Sequence, residues 1–261
     1  MKKSLLAVFV SLIMLLWLTV LISTASAPQL ERIKFVDYYR PVHAGGDSSG
    51  DGEPCSVTGD KYRQISGGLK WKEFPVTYYI DPTASSDVDG DGDIDGHDAL
   101  AAITAVESAF STWDAEEHPA GDFFTQATSK ADARIVVSWE PMDGPGGALA
   151  SASLTYTVPG KKIVYVEIRF DSYDSWKVFQ TLICGEQTGG FDIEDVAAHE
   201  TGHAVGLDHV DQDTYLTMHT YVLWEGETHK RTLGVGDKLG LEAPYGDGGN
   251  GGTCPPRKPR C

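Results

Sequence analysis

The sequence predicts an α+β domain, and three observations carry that reading. β-rich runs bounded by turn residues flank one long stretch of helical spacing, a later helix carries a histidine-rich motif, and a closing helix precedes a Gly-rich end. Ordered structure is expected from near Trp71. Residues 76–80, Val-Thr-Tyr-Tyr-Ile, read as a strand between Pro75 and Pro82. Residues 99–113 place Leu100, Ile103, Val106, Phe110 and Trp113 at helical spacing. Residues 133–139 and 163–170 are two further strands, and 151–156 alternate well enough for an edge strand. Residues 191–198 begin the next helix: Asp192 suits the N-cap, Asp195 follows three positions on, and acids favour the positive helix end. Together these elements make a domain of about 180 residues, large enough for one core.

Around that domain the organisation is simple. Residues 1–27 read as a secretory leader: Lys2 and Lys3, an apolar stretch from Leu5 to Ile22, then small residues with a cleavage point after Ala25. The apolar stretch is also long enough for an uncleaved anchor, which is the alternative. Residues 28–68 form an N-terminal extension or short pro-segment with a Gly/Ser/Asp linker at 45–52. The domain spans 69–246, and 247–261 is a Gly-rich tail clipped by cysteines.

Eleven consecutive residues, 199–209, spell H-E-x-x-H-x-x-G-x-x-H. On a helix, His199 and His203 stand at i and i+4, so both imidazoles leave one face within reach of one ion. Glu200 lies beside that ion without binding it, free to hold and deprotonate a metal-bound water. Gly206 lets the backbone leave the helix in a left-handed turn and swing His209 back as third ligand. Three neutral nitrogens and an open position suit a catalytic zinc rather than a structural one.

The motif, with Met218 nine residues beyond His209, resembles the metzincins, in which a Met-turn lies beneath the metal. Over roughly residues 70–246 the resemblance is to the matrixins. Residues 143–150 are similar to the family's D-G-P-G-G-x-L-A run, 170–176 keep the spacing of F-D-x-x-E-x-W, and 236–246 resemble its closing helix. The resemblance implies a twisted mixed sheet, a long first helix, a zinc-binding active-site helix and a C-terminal helix. It also implies a calcium site using Asp143, Asp171 and Asp174, the last in place of a glutamate. Ser151 and Arg169 stand where the family has histidines for a second zinc, which puts that second site in doubt. The segment from Thr220 to Arg231 would wall the specificity pocket.

Residues 87–98 fit an EF-hand loop. Asp87, Asp89, Asp91 and Asp95 fall at positions one, three, five and nine, Asp93 offers its carbonyl at seven, Gly92 makes the turn, and Asp98 closes at twelve. Ile94 is expected to point into the core. The alternative is a solvated acidic turn, but so many carboxylates together favour a calcium ion. Only one such repeat is present, so the loop is read as stiffening the strand-to-helix connection.

A net charge of −17 argues against nucleic acid and anionic lipid as partners. The single Asn, at Asn250, is weak support for heat adaptation. The four cysteines suit an oxidising compartment: Cys254 with Cys261, and Cys55 with Cys184, is the favoured pairing. The alternative gives the Cys55 thiolate a place on the zinc as a latency switch, although Gly52-Glu53-Pro54-Cys55 lacks the matrixin pattern P-R-C-G. The expectation is a secreted, monomeric zinc endopeptidase acting on protein or peptide substrates. It needs zinc and calcium, and it meets a membrane only if the leader stays. Alternatives are a secreted calcium-dependent binding module with a retained zinc site, and a metallohydrolase of non-peptide substrates.

Overall fold

The computed structural model describes residues 27–40, 59–81, 86–116, 121–182 and 187–246. The leader, all four cysteines and the tail lie outside these residues. No helix among the described residues is long and apolar enough to cross a membrane.

An eight-stranded mixed sheet carries the fold. Its strands are β1 (Gln29–Lys34), β2 (Asp37–Tyr39), β4 (Val76–Ile80), β5 (Phe124–Gln126), β6 (Ile135–Glu140), β7 (Ala148–Val158), β8 (Ile163–Asp171) and β12 (Tyr221–Val222). The order is β12-β2-β7-β8-β6-β4-β5, with β1 also on β7. β5, β4, β6 and β8 run parallel, and β7 runs antiparallel to β8. Two-residue strands make two small pairs, β3 (Arg63–Gln64) with β11 (Leu207–Asp208), and β9 (Trp176–Lys177) with β10 (Phe191–Asp192).

The expected strands are found, each within a few residues. The main difference concerns β7. Residues 151–156 belong to a longer strand that is not an edge: β8 pairs on one side, while β1 and β2 pair on the other. The extension is the cause, since it supplies β1, β2 and β3 from positions read as extension and linker.

Helix α1 (Gly96–Asp114) starts three residues before its expected bound because Asp95 and Asp98 form a capping box. Its inner face, Ala102, Ala105, Val106, Ala109, Phe110 and Trp113, packs under the sheet, and Phe110 stacks on Tyr78 at 4.2 Å. Two expected apolar positions face water instead. Ile94 is 60% and Leu100 61% exposed, and Val88 fills the core from the loop. Asp98 explains the exchange: turned inward, its carboxylate accepts from the N–H groups of Val88, Asp89 and Asp95, which draws the loop's N-terminal half in.

Helix α2 (Ile193–Ala204) packs against α1 and against β7, nearly all of it buried. Helix α3 (Val235–Tyr245) closes the domain. Trp113 Nε1–H donates to the Ala198 carbonyl, Trp71 Nε1–H to that of Ala204, and Tyr245 O–H to that of Val205. The bonds to Ala204 and Val205 satisfy carbonyls at the end of α2, where the helix leaves its own acceptors free, while Trp113 adds a bond at mid-helix. They also fix the helix that carries the motif.

Candidate active site and metal centre

Helix α2 begins as its sequence suggests. Asp192 caps it, accepting from the Asp195 N–H at 2.9 Å, and is also held by the Arg231 guanidinium. One turn further on, His199 and His203 project from one face. At Gly206 the backbone adopts φ +102°, and an added Cβ would meet the Leu69 carbonyl oxygen at 2.2 Å. Only glycine fits that turn, which brings His209 back over the helix.

The three imidazoles converge on one point. His209 Nε2 lies 3.2 Å from His199 Nε2 and 3.1 Å from His203 Nε2. Zn–N bonds of about 2.0–2.1 Å at tetrahedral angles require nitrogens roughly 3.3 Å apart. His199 Nδ1 is 2.7 Å from the Thr217 carbonyl and His203 Nδ1 is 2.8 Å from that of Leu207. Those carbonyls accept the Nδ1 protons and leave the Nε2 lone pairs facing each other. Burial holds the His199 and His203 imidazoles well below the usual range and His209 down to about 4, so all three are neutral, metal-ready donors. Lone pairs set this close repel each other unless a cation lies between them, and the donor set fits zinc.

Glu200 is fully buried beside them, and neither oxygen has a hydrogen-bond partner among the described residues. Burial, then the nearby Asp37 carboxylate, pushes its carboxyl well up, while Lys230 pulls it down.

Beneath the site, Met218 sits where the sequence places it. A Cβ on Gly202 would meet its sulfur at 2.1 Å and the Trp113 ring at 2.8 Å. Gly202 therefore lets Met218 rest directly against the helix between the two histidines. Gly202→Ala should cost about 1–3 kcal/mol by overpacking, read as a lower melting temperature with the zinc stoichiometry retained. Asp237 of α3 anchors the Met-turn: its carboxylate accepts from the N–H groups of Thr217, Met218 and Gly234. His219 makes a local contact, Nδ1 to the Tyr221 carbonyl at 3.1 Å.

The loop acids separate into groups. Asp87, Asp89 and Asp98 bring oxygens within 4.8 Å of one another, as do Asp89 and Asp91 with His97. Asp93 stands outside both groups, its carboxyl pushed up by Asp91 and Asp95, and Asp95 serves as the N-cap of α1. The other trio surrounds the 142–148 loop. Asp171 accepts from the N–H groups of Met142, Asp143, Gly144 and Tyr173, Asp143 from Ala148, and Asp174 from Gly146. One Asp174 oxygen keeps no partner, and burial pushes that carboxyl up to about 6.

Several neighbours of the site escape a sequence reading. Phe35 stacks on His203 with ring centres 4.4 Å apart, and stands edge-on to His209. Asp37 and Lys230 are fully buried behind Glu200. Phe35 and Asp37 lie far from the motif in sequence, and Lys230 lies in the 220–231 segment, where nothing marks a lysine for burial.

A helix-borne histidine pair, a glycine turn returning a third histidine and a methionine beneath them define the site of a metzincin. The matrixin family pattern matches residues 70–246, and the chain belongs to that family. It is 30% identical to human matrix metalloproteinase-20 over 200 residues, 71% of this chain and 34% of that protein. Karilysin of Tannerella forsythia is 27% identical over 73% of this chain and 36% of its own length. Interstitial collagenase of Oryctolagus cuniculus is 29% identical over 70% and 34%. The chain thus spans about a third of the length of these relatives.

Proposed function

We propose that this protein is a secreted zinc-dependent endopeptidase that hydrolyses peptide bonds with Glu200 as general base. The observation that carries the reading is the close approach of three neutral Nε2 atoms beside a buried, unpartnered carboxylate. His199, His203 and His209 would hold the metal. Bound zinc supplies Lewis acidity for the scissile carbonyl and lowers the pKa of water. Glu200 takes the proton of the attacking water at a carboxylate oxygen and returns it to the leaving amine. Its proton affinity, raised by burial, suits the first of these steps. Once β1 and β2 are displaced, an extended substrate gains backbone hydrogen bonds along β7, with β12 and the residues after it as the opposite wall.

The test is hydrolysis of casein or a quenched peptide by the purified full-length chain, before and after removal of zinc by a chelator. Activity that falls at least about a hundredfold and returns with added zinc supports the reading. A chain with stoichiometric zinc and no hydrolysis favours the calcium-dependent binding module instead. Residues 1–27 support secretion. An N-terminus at Ser26 in secreted material would establish cleavage after Ala25.

The loop at 87–98 is read as a calcium site formed by Asp87, Asp89, Asp91, Asp95 and Asp98, with the Asp93 carbonyl. Asp143, Asp171 and Asp174 are read as a second. Calcium at a hundred times its dissociation constant adds about 2.7 kcal/mol, a rise of roughly 5–10 °C in melting temperature. Asp87→Ala with Asp89→Ala should remove the part owed to the loop, and an undiminished rise would exclude it.

A further inference from the structure

The cleft is filled by the chain's own extension. From Gln29 to Lys34 the segment pairs antiparallel with β7, and Asp37 and Tyr38 continue that pairing opposite Ala150 and Ala148. On its other side Tyr38 and Tyr39 run parallel to Tyr221 and Val222. Phe35 N–H donates to the Ala152 carbonyl, Tyr39 N–H to Gly147, and Arg40 N–H to Val222. The segment therefore holds both walls by backbone bonds, as an extended substrate would, and crosses the three-histidine site at Phe35.

Its side chains alternate. Tyr38 is 46% exposed, while Asp37 is wholly buried beside Glu200. The pocket Asp37 enters contains Lys230, itself wholly buried, whose Nζ donates to the His219 and Tyr221 carbonyls of the wall and lies 3.8 Å from Glu227. Four carboxyls bear on this ammonium; Glu227 is its ion-pair partner, while both buried Asp37 oxygens have no hydrogen-bond partner among the described residues. Of the protein-side acids, Glu227 is the near one, and burial pushes both it and Asp195 up. Lys230 is a fixed cation at the pocket, and one of the acids that bear on it, Asp37, is borrowed from a segment that a substrate must displace.

We infer that the pocket behind Glu200 selects an acidic substrate side chain, that Lys230 is the selecting residue, and that Asp37 of the N-terminal segment occupies the pocket as a stand-in for that side chain. An aspartate or glutamate puts a carboxylate back where Asp37 stood; a leucine leaves Lys230 with the protein's own acids alone. This rests on the endopeptidase reading and deepens it.

The test uses the full-length, zinc-loaded chain and quenched peptides that differ only at one position, occupied by Asp, Glu, Leu or Lys. Each position is scanned in turn and the cleaved bond is identified by mass. One position, next to the cleaved bond, should favour Asp and Glu over Leu by about tenfold or more in kcat/KM, with Lys worst. Lys230→Met should reverse the order of Asp and Leu at that position. Because Lys230→Met can fail to fold, Asp37→Leu is a second variant. By weakening the segment's hold it should speed cleavage of every peptide while keeping the acidic preference. Leu cleaved as fast as Asp and Glu at every position overturns the inference and leaves the endopeptidase standing. No cleavage of any peptide by any form overturns both.

Discussion

Glu200→Ala should retain one zinc per chain and lose at least 10²–10⁴-fold in peptide hydrolysis, the range a positioned general base contributes. That loss corresponds to about 3–5.5 kcal/mol of transition-state stabilisation. The metal should be unaffected because the three converging nitrogens all belong to histidines, each of the two on α2 oriented by a backbone carbonyl. The fold should not suffer either. Glu200 buries two oxygens without a hydrogen-bond partner among the described residues, so alanine removes a desolvation cost along with the base. The measurement is hydrolysis rate beside metal content and melting temperature. Turnover within tenfold of the unaltered chain would exclude Glu200 as base. Loss of zinc would show instead that its role is structural.

Asp237→Ala should have the largest effect on stability. Three buried N–H groups, from Thr217, Met218 and Gly234, converge on this one carboxylate. Each buried donor left without an acceptor costs about 1–3 kcal/mol, offset in part by relief from burying the carboxylate, whose proton affinity is raised by that burial. A net loss of about 3–5 kcal/mol follows, or roughly 6–20 °C in melting temperature for a domain of this size. Activity should fall further than stability alone explains, because Met218 would lose its fixed height beneath the histidines. Asp237→Asn keeps one acceptor oxygen and should lie between the two. Unchanged stability in the alanine variant would mean that the Met-turn is held by packing alone.

These two residues mark how far the sequence could be read. Glu200 was legible because its role depends on local geometry: helical periodicity places it between His199 and His203, and Gly206 announces the turn that returns His209. Asp192 as N-cap and the strands at 76–80 and 163–170 were legible for the same reason, since hydrogen bonding and side-chain alternation act over a few residues. Asp237 was not legible, because two of its three partners, Thr217 and Met218, lie about twenty residues away and nothing in its own segment marks an aspartate that anchors another turn. Ile94 and Leu100 misled because an apolar residue in a helical pattern is only statistically buried; the inward turn of Asp98 decided which loop residue reached the core.

The sequence by itself determined the family and the histidine triad, because one ion imposes a strict local spacing on the side chains that converge on it. Only the tertiary structure decided that β7 is an interior strand, that Phe35 and Asp37 lie in the cleft, and that Lys230 faces them. Strand pairing and burial of a lone cation depend on which distant backbone is free to bond. No periodicity within residues 28–40 or 220–231 encodes that choice.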